Sequence, residues 1–334
     1  MVQHAERRPV QLIAGPADGV TAGGVSDDGV PADGVSADGL SGGRPPAARQ
    51  YQAAVLGHPI GHSRSPALHR AAYDLIGFDC SYRAIDVTVD QLPQFVHTLR
   101  TERGWAGLSV TMPLKAAMVG QMDRTSPLVD LLGVLNTVVP QYDGEGRVTL
   151  SGHNTDVAGI VGALRHGGAG EGRPAVILGG GGTAAAAAAA LAELKPSGVT
   201  LCLRNPAKSG NVQDIARQLG LPLQVAGWDQ AAAAMQAAGT VVCTLPPHSA
   251  DPLAARLAAQ TGTDRGGSVL LDVAYDPWPS ELAAVWQRQA GSVVHGLEML
   301  IYQAVEQVRL FAGDRFTDAA DVTNVMCDAV GAPR

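Results

Sequence analysis

Lys115 closes a segment, Ser109-Val110-Thr111-Met112-Pro113-Leu114-Lys115, that gathers two hydroxyls and an amine within seven residues. The chain has only three lysines, Lys115, Lys195 and Lys208, against twenty-one arginines. A composition that biased replaces most surface lysine with arginine, so a lysine that remains can be held by a task arginine cannot do. Lysine yields its proton when its surroundings shift its pKa; arginine effectively does not. Downstream, Asn154-Thr155-Asp156 sets a carboxylate just ahead of a helix-like run. A lysine and an aspartate of this kind can form a proton-transfer pair. Taken alone, Lys115 reads more simply as a surface lysine beside a turn proline. The segments around it reverse that reading.

Gly179-Gly180-Gly181-Gly182-Thr183 follows an apolar run and opens an alanine-rich one. In a strand-to-helix turn, glycines let the backbone approach a pyrophosphate, and the helix start offers free N–H groups. A plain turn does not need four glycines. The next apolar run ends Leu203-Arg204-Asn205-Pro206. An acidic residue there holds a ribose 2′-hydroxyl, whereas Arg204 suits a 2′-phosphate, which points to NADP(H) over NAD. The competing reading is a solvated loop arginine. Near the N-terminus, Ser63 and Ser65 lie two apart before Pro66 and can present both hydroxyls to an anion. Ser65 is also the expected N-cap of the helix that follows, with Pro66 at its first position.

These groups need elements to hold them. Apolar runs bounded by turn residues predict strands at 53–57, 81–87 and 107–110, with helices at 66–76 and 91–101. Strands at 134–140 and 148–150 flank the turn Asp143-Gly144-Glu145-Gly146. After a helix at 155–165 and the hinge-like stretch 167–170, a second alternating pattern starts. It runs strand 175–178, helix 183–194, strand 199–203, helix 207–219, then strands at 223–226, 240–244 and 269–273. Two helices, 297–311 and 317–330, end it. Such alternation defines an α/β fold of two domains, as the length of 334 residues also suggests. Residues 15–45 are low-complexity, with Asp-Gly-Val/Leu units at Asp18, Asp28, Asp33 and Asp38, and cannot bury enough apolar area to offset their ordering entropy, so 1–48 reads as a disordered tail.

The net charge of −7 and the lack of a basic stripe argue against a nucleic-acid partner. No apolar run reaches membrane-spanning length. Cys80, Cys202, Cys243 and Cys327 are far apart, so neither a metal site nor a disulfide framework is expected. That usage fits a reducing cytoplasm.

The residues now carry a resemblance. The motifs are His62-Ser63-x-Ser65-Pro66-x-x-His69, Val110-Thr111-x-Pro113-x-Lys115, Leu135-Asn136-Thr137, Gly152-x-Asn154-Thr155-Asp156-x-x-Gly159 and the glycine loop. Asp272-Val273-x-Tyr275-x-Pro277 and Gly296-Leu297-x-Met299-Leu300-x-x-Gln303-Ala304 complete the series. In this order, over about 51–313, the chain resembles the shikimate/quinate dehydrogenase family, in the actinobacterial style its arginine- and alanine-rich makeup suggests.

The resemblance implies an N-terminal α/β substrate domain (50–154), a C-terminal Rossmann-like NADP-binding domain (155–292) and helices at 293–334 that return to the first. It implies NADPH-dependent, reversible reduction of 3-dehydroshikimate to shikimate, a step of aromatic amino-acid and chorismate biosynthesis. Lys115 and Asp156 are then the catalytic pair. Ser63 and Ser65 meet the substrate carboxylate, Tyr275 approaches that side, and Thr111, Asn136 and Gln303 hold hydroxyls. Gly179, Gly180, Gly181, Gly182, Thr183, Arg204, Asn205, Thr244 and Gly296 fall at the cofactor. The partner is a small molecule, with no nucleic acid, membrane or metal, and the protein is a monomer or homodimer.

The chain departs from the family pattern in places. Ser109 stands where the family usually has Asn, and a side chain so short would reach the substrate through water. Ala185 replaces the arginine that usually closes the glycine loop, which leaves Arg204 more of the phosphate work. Leu203 replaces an Asn, and Cys243-Thr244-Leu245 replaces Asn-Ala-Thr. Quinate or aminoshikimate dehydrogenases remain alternatives. A methylene-tetrahydrofolate dehydrogenase-like enzyme fits less well, because of the serine pair and Tyr275-x-Pro277. A non-catalytic nucleotide sensor would not need both Lys115 and Asp156.

Overall fold

The first strand, β1 (Tyr51–Gly57), sends Ala53 and Val55 into one apolar core and Ala54 and Leu56 into another. Strand side chains alternate, so an unbroken apolar run is what a sheet covered on both faces requires. The computed structural model describes residues 51–260 and 262–332; the tail expected over 1–48 lies outside them.

After β1 come α1 (Ser65–Leu75), β2 (Cys80–Asp86), α2 (Leu92–Thr101), β3 (Trp105–Val110), β4 (Arg124–Thr125), α3 (Pro127–Leu132), β5 (Thr137–Tyr142) and β6 (Val148–His153). They form a six-stranded sheet in the order β2-β1-β3-β5-β6-β4. Its β2-β1-β3 part is parallel, and β5 runs antiparallel to both β3 and β6.

The chain then enters α4 (Asp156–His166), β7 (Ala175–Leu178), α5 (Gly182–Leu194), β8 (Val199–Leu203), α6 (Gly210–Gln218), β9 (Leu223–Gly227) and α7 (Ala231–Ala237). It continues through β10 (Thr240–Cys243), α8 (Asp251–Ala258), β11 (Val269–Asp272), α9 (Glu281–Arg288) and β12 (Ser292–His295). The second sheet is wholly parallel, in the order β9-β8-β7-β10-β11-β12. This is the doubly wound order, which reverses between β7 and β10 and places ligands at the carboxyl ends of the strands there. Helix α5 packs tightly on this sheet because its central residues are alanines, Ala184 to Ala190, all fully buried.

The last two helices, α10 (Gly296–Ala312) and α11 (Ala319–Val330), lie against the first sheet. Ile301, Ala304, Val305, Val308, Val322 and Met326 join the core that holds Ala53, Val55 and Leu68. Helix α10 also crosses α4 at close range. A Cβ added to Gly159 would sit 2.8 Å from both Met299 O and Gln303 Cβ.

The structure corrects several expectations. Ser65 is the first helical residue of α1 and caps nothing, since Arg64 already has helical backbone angles. The Ser63 hydroxyl instead accepts the Ser65 N–H at 3.3 Å. The strand expected from 134 starts at Thr137, because Leu135 and Asn136 spend their N–H groups on Lys115 O and His153 O. The helix expected over 207–219 is a 3₁₀ turn, Pro206–Lys208, followed by α6. Asn205 caps that turn through Ala207 N, and the Ser209 hydroxyl bonds back to Pro206 O. Helices α3, α7, α8 and α9 and strands β4 and β12 add to the expected series. Among the described residues no helix is long and apolar enough to cross a membrane.

Candidate active site

A cleft of about 600 Å³ opens where the ends of β1 and β3 face the segment after β11 and the start of α10. The close approach of two backbones builds its floor. A Cβ at Gly57 would lie 2.5 Å from Thr111 Cγ2 and 2.9 Å from Met112 O, so only glycine fits. Thr111 N–H bonds to Leu56 O, and Lys115 O accepts Leu135 N–H, which pins both ends of the Thr111-to-Lys115 segment.

Lys115 Nζ donates to Asp156 Oδ2 at 2.6 Å. The lysine side chain is 22% exposed and the aspartate 7%. Asp156 opens α4, and its N–H is held by Asn154 Oδ1 at 3.0 Å. On its other oxygen, Asp156 Oδ1 accepts Asn136 Nδ2 at 2.9 Å. That amide also reaches Thr155 Oγ1 at 2.9 Å and Gln303 Oε1 at 3.3 Å, three acceptors for its two protons. Asn136 Oδ1 in turn accepts Thr155 N–H and the Thr137 hydroxyl.

All eight residues expected at the substrate meet in this cleft. Ser63, Ser65, Thr111 and Lys115 line it from the first sheet's loops, Asn136 and Asp156 from its floor, and Tyr275 and Gln303 from the far wall. Thr183 and Gly296 also line it. Gly296 is fixed by contact, since a Cβ there would meet Val273 O at 2.3 Å. Burial raises the Tyr275 phenol pKa, an effect the Arg64 charge opposes.

Beneath the cleft lies a buried polar layer in which the sequence motifs announce Ser109, His69, Asn136 and Thr137 but not Tyr82 or Gln307. The Tyr82 hydroxyl meets Ser109 Oγ at 2.6 Å, and Ser109 Oγ meets Gln307 Oε1 at 2.7 Å. Gln307 Nε2 donates to Asn136 O and Thr137 Oγ1. His69 stacks on Tyr82 at 4.0 Å between ring centres and donates from Nδ1 to Ser65 O. Complete burial pushes the His69 pKa down to about 4, so the ring stays neutral near pH 7. The signal for Gln307 was its spacing: it follows Gln303 by one helical turn, on the same face of α10.

Most of the residues expected at the cofactor lie along the ends of β7, β8 and β10. Gly179 has φ 106° and packs against Thr244, whose hydroxyl donates to Leu178 O. Gly180 abuts Leu203. Gly181 and Gly182 are not so crowded: a Cβ at Gly181 would meet no described atom within 4 Å, and one at Gly182 only Val134, at an ordinary 3.5 Å. Their smallness leaves room at the start of α5 for a ligand's phosphates, which is the fit a dinucleotide requires. Arg204 is exposed beside the capping Asn205 and makes no ion pair with a described residue, and neither does Lys208. Among the described residues no cluster of His, Cys, Asp or Glu could hold a metal ion. Cys202, Cys243 and Cys327 are buried, and no disulfide joins any of the four cysteines.

Fold and cleft together define a two-domain α/β protein with a Rossmann-like sheet and a polar pocket at its edge. Comparisons with known proteins narrow this. The profile of the shikimate dehydrogenase substrate binding domain matches residues 55–138. The chain is 33% identical over 270 residues to a shikimate dehydrogenase (NADP(+)) of Methanothermobacter thermautotrophicus, covering 79% of this chain and 92% of that protein. The crystal structure of Mycobacterium tuberculosis shikimate dehydrogenase matches with a TM-score of 0.70 and 38% identity, over 84% of this chain and 99% of that one. A Thermus thermophilus shikimate 5-dehydrogenase, solved with NADP(H) and shikimate, matches with a TM-score of 0.68 and 30% identity, over 84% and 99%. The chain belongs to the shikimate dehydrogenase family.

Proposed function

We propose that this protein reduces 3-dehydroshikimate to shikimate, reversibly, with NADPH, and that Lys115 and Asp156 are its catalytic pair. The observation that carries the reading is the 2.6 Å contact between Lys115 Nζ and Asp156 Oδ2, inside a cleft lined by every other expected substrate residue. NADPH, held at the glycine loop Gly179 to Gly182, would supply the hydride. Hydride arrival at a ketone builds negative charge on its oxygen. The Lys115 ammonium stabilises that charge and gives the proton, while Asp156 holds the amine in place. Asn136 fixes the carboxylate from behind, so the pair is oriented before substrate enters.

A compact polyol needs fixed polar partners, because an unmatched buried group on either side is costly. Ser63, Ser65 and Tyr275 serve the substrate carboxylate, and Thr111, Asn136 and Gln303 its hydroxyls. Arg204, Asn205, Thr183, Thr244, Gly296 and the loop Gly179 to Gly182 serve NADP(H). On this reading residues 50–154 with 293–334 hold the substrate and 155–292 the cofactor. The protein acts on a small molecule in the cytoplasm, as a monomer or homodimer, without nucleic acid.

The test is an assay of the purified protein with shikimate, quinate and aminoshikimate, each with NADP and NAD. Shikimate with NADP should give the highest kcat/KM. Ser109 keeps quinate and aminoshikimate as the second reading, and a higher kcat/KM for either would replace the first.

A further inference from the structure

The hydrogen-bond directions beneath the cleft can be assigned without seeing a proton. Asn136 O is a backbone carbonyl and can only accept, so the Gln307 atom 3.1 Å from it is the amide nitrogen. Gln307 Oε1 therefore faces Ser109 Oγ, 2.7 Å away, and the serine must donate. A hydroxyl has one proton. With that proton committed, the 2.6 Å contact between Tyr82 and Ser109 requires the phenol to donate. Burial holds the Tyr82 pKa well above its usual value, so the phenol keeps the proton it donates. Ser109 is left with one lone pair and no proton to offer, at a position that lines the cleft.

We propose that Gln307 and Tyr82 lock Ser109 as an acceptor-only group, so that this wall selects a substrate bearing a hydrogen-bond donor, either hydroxyl or protonated amine. The inference rests on the dehydrogenase reading and names the polarity of one part of its substrate. Gln307 is a positioning residue: its own amide is filled by Ser109, Asn136 O and Thr137 Oγ1, and it acts through the serine. An asparagine at 109 would bring its own donor and acceptor, and could also take groups that only accept. The serine, held this way, cannot.

The test uses the full-length protein and shikimate analogues in which each non-reacting ring hydroxyl in turn is replaced by fluorine, which cannot donate, or by an amine, which is protonated and donates only. Kd by calorimetry is measured beside kcat/KM. At one ring position, fluorine should cost about tenfold or more in Kd, as for other sites built around a substrate hydroxyl, while the amine stays within a few-fold. Gln307→Met frees the Ser109 proton to turn toward the cleft and should shrink the fluorine penalty several-fold at that position alone. Ser109→Ala should abolish the preference for a donor there. A parent protein that binds every fluorinated analogue as well as shikimate overturns the proposal even if no variant folds. So does rejection of the amine where fluorine is rejected, or a folded Gln307→Met variant with the parent's discrimination. Binding with the expected pattern but no turnover would remove the dehydrogenase reading and leave the polarity of the wall standing. Failure to bind any of these acids would remove both.

Discussion

Asn136 grips Asp156 from the side opposite Lys115: its amide nitrogen lies 2.9 Å from Oδ1, while the lysine nitrogen lies 2.6 Å from Oδ2. Both carboxylate oxygens are thus engaged, and the aspartate cannot swing away from the lysine without losing the amide. The residues come from three places in the chain: the turn after β3, the entry to β5 and the first turn of α4. Their meeting is a product of the fold.

Removing the amine tests this centre most directly. Lys115→Ala should lower kcat by about 10²–10⁴-fold, the usual worth of positioned acid–base help. Substrate Kd should change far less, because the charge the amine meets develops in the transition state. Lys115→Arg should fail as well, since a guanidinium does not yield its proton. Steady-state kinetics with turnover within a few-fold of the parent would contradict the assignment.

Cofactor choice is a second expectation. Arg204→Ala should weaken NADP by about ten- to a hundred-fold, the worth of charge-assisted bonds to a 2′-phosphate, and leave NAD nearly unchanged. Lys208, in the short turn after Asn205, can soften the loss. Titration with both cofactors checks it; equal weakening of the two would show that Arg204 does not read the phosphate.

His69 makes a prediction about pH. Its pKa is about 4 in the fold, against 6.5 as the ordinary value, so the unfolded chain binds the extra proton first. Stability from this group is complete above pH 6.5 and is lost as pH falls from there toward 4. That interval corresponds to about 3 kcal/mol at 1.36 kcal/mol per pH unit. His69→Gln should flatten this part of the stability-against-pH curve measured by urea unfolding. An unchanged slope would show that the ring does not titrate as assigned.

Gly159→Ala probes the crossing of α4 and α10. The new methyl would press on Met299 O and Gln303 Cβ at 2.8 Å, one of them backbone, so a helix must shift. A loss of about 1–3 kcal/mol is expected, the usual cost of overpacking. The midpoint of chemical unfolding measures it, and a variant as stable as the parent would mean that the crossing is looser than described.

Much of this was readable in the chain. Glycine, proline and apolar runs marked β1, β7 and β8, and the motifs marked Lys115, Asp156 and the serine pair. The second half of the doubly wound sheet was harder. Helix α7 is Ala231–Ala237, almost all alanine, and offers little periodic contrast between its faces. Strand β12 carries only two apolar residues, Val293 and Val294, between polar ends, too few to set a pattern. The missing cap at Ser65 has a similar origin. A serine before a proline reads as a cap, but the turn through Arg64 starts the helix one residue early. Ser109 was legible only as a departure. What makes it consequential is Gln307, nearly two hundred positions away, and no local spacing connects them.

The core beneath β1 is completed by Val305, Val308, Phe311, Val322 and Met326, which the ribosome delivers only after the whole second sheet. Synthesis of the first sheet therefore ends long before its own interior can close. The nascent chain must carry that open apolar face while the second sheet is made. Nor can the first half be moved to another protein as a cassette cut at residue 154. A transplant would have to bring α10 and α11 with it, as a split insert whose two pieces flank whatever is placed between them.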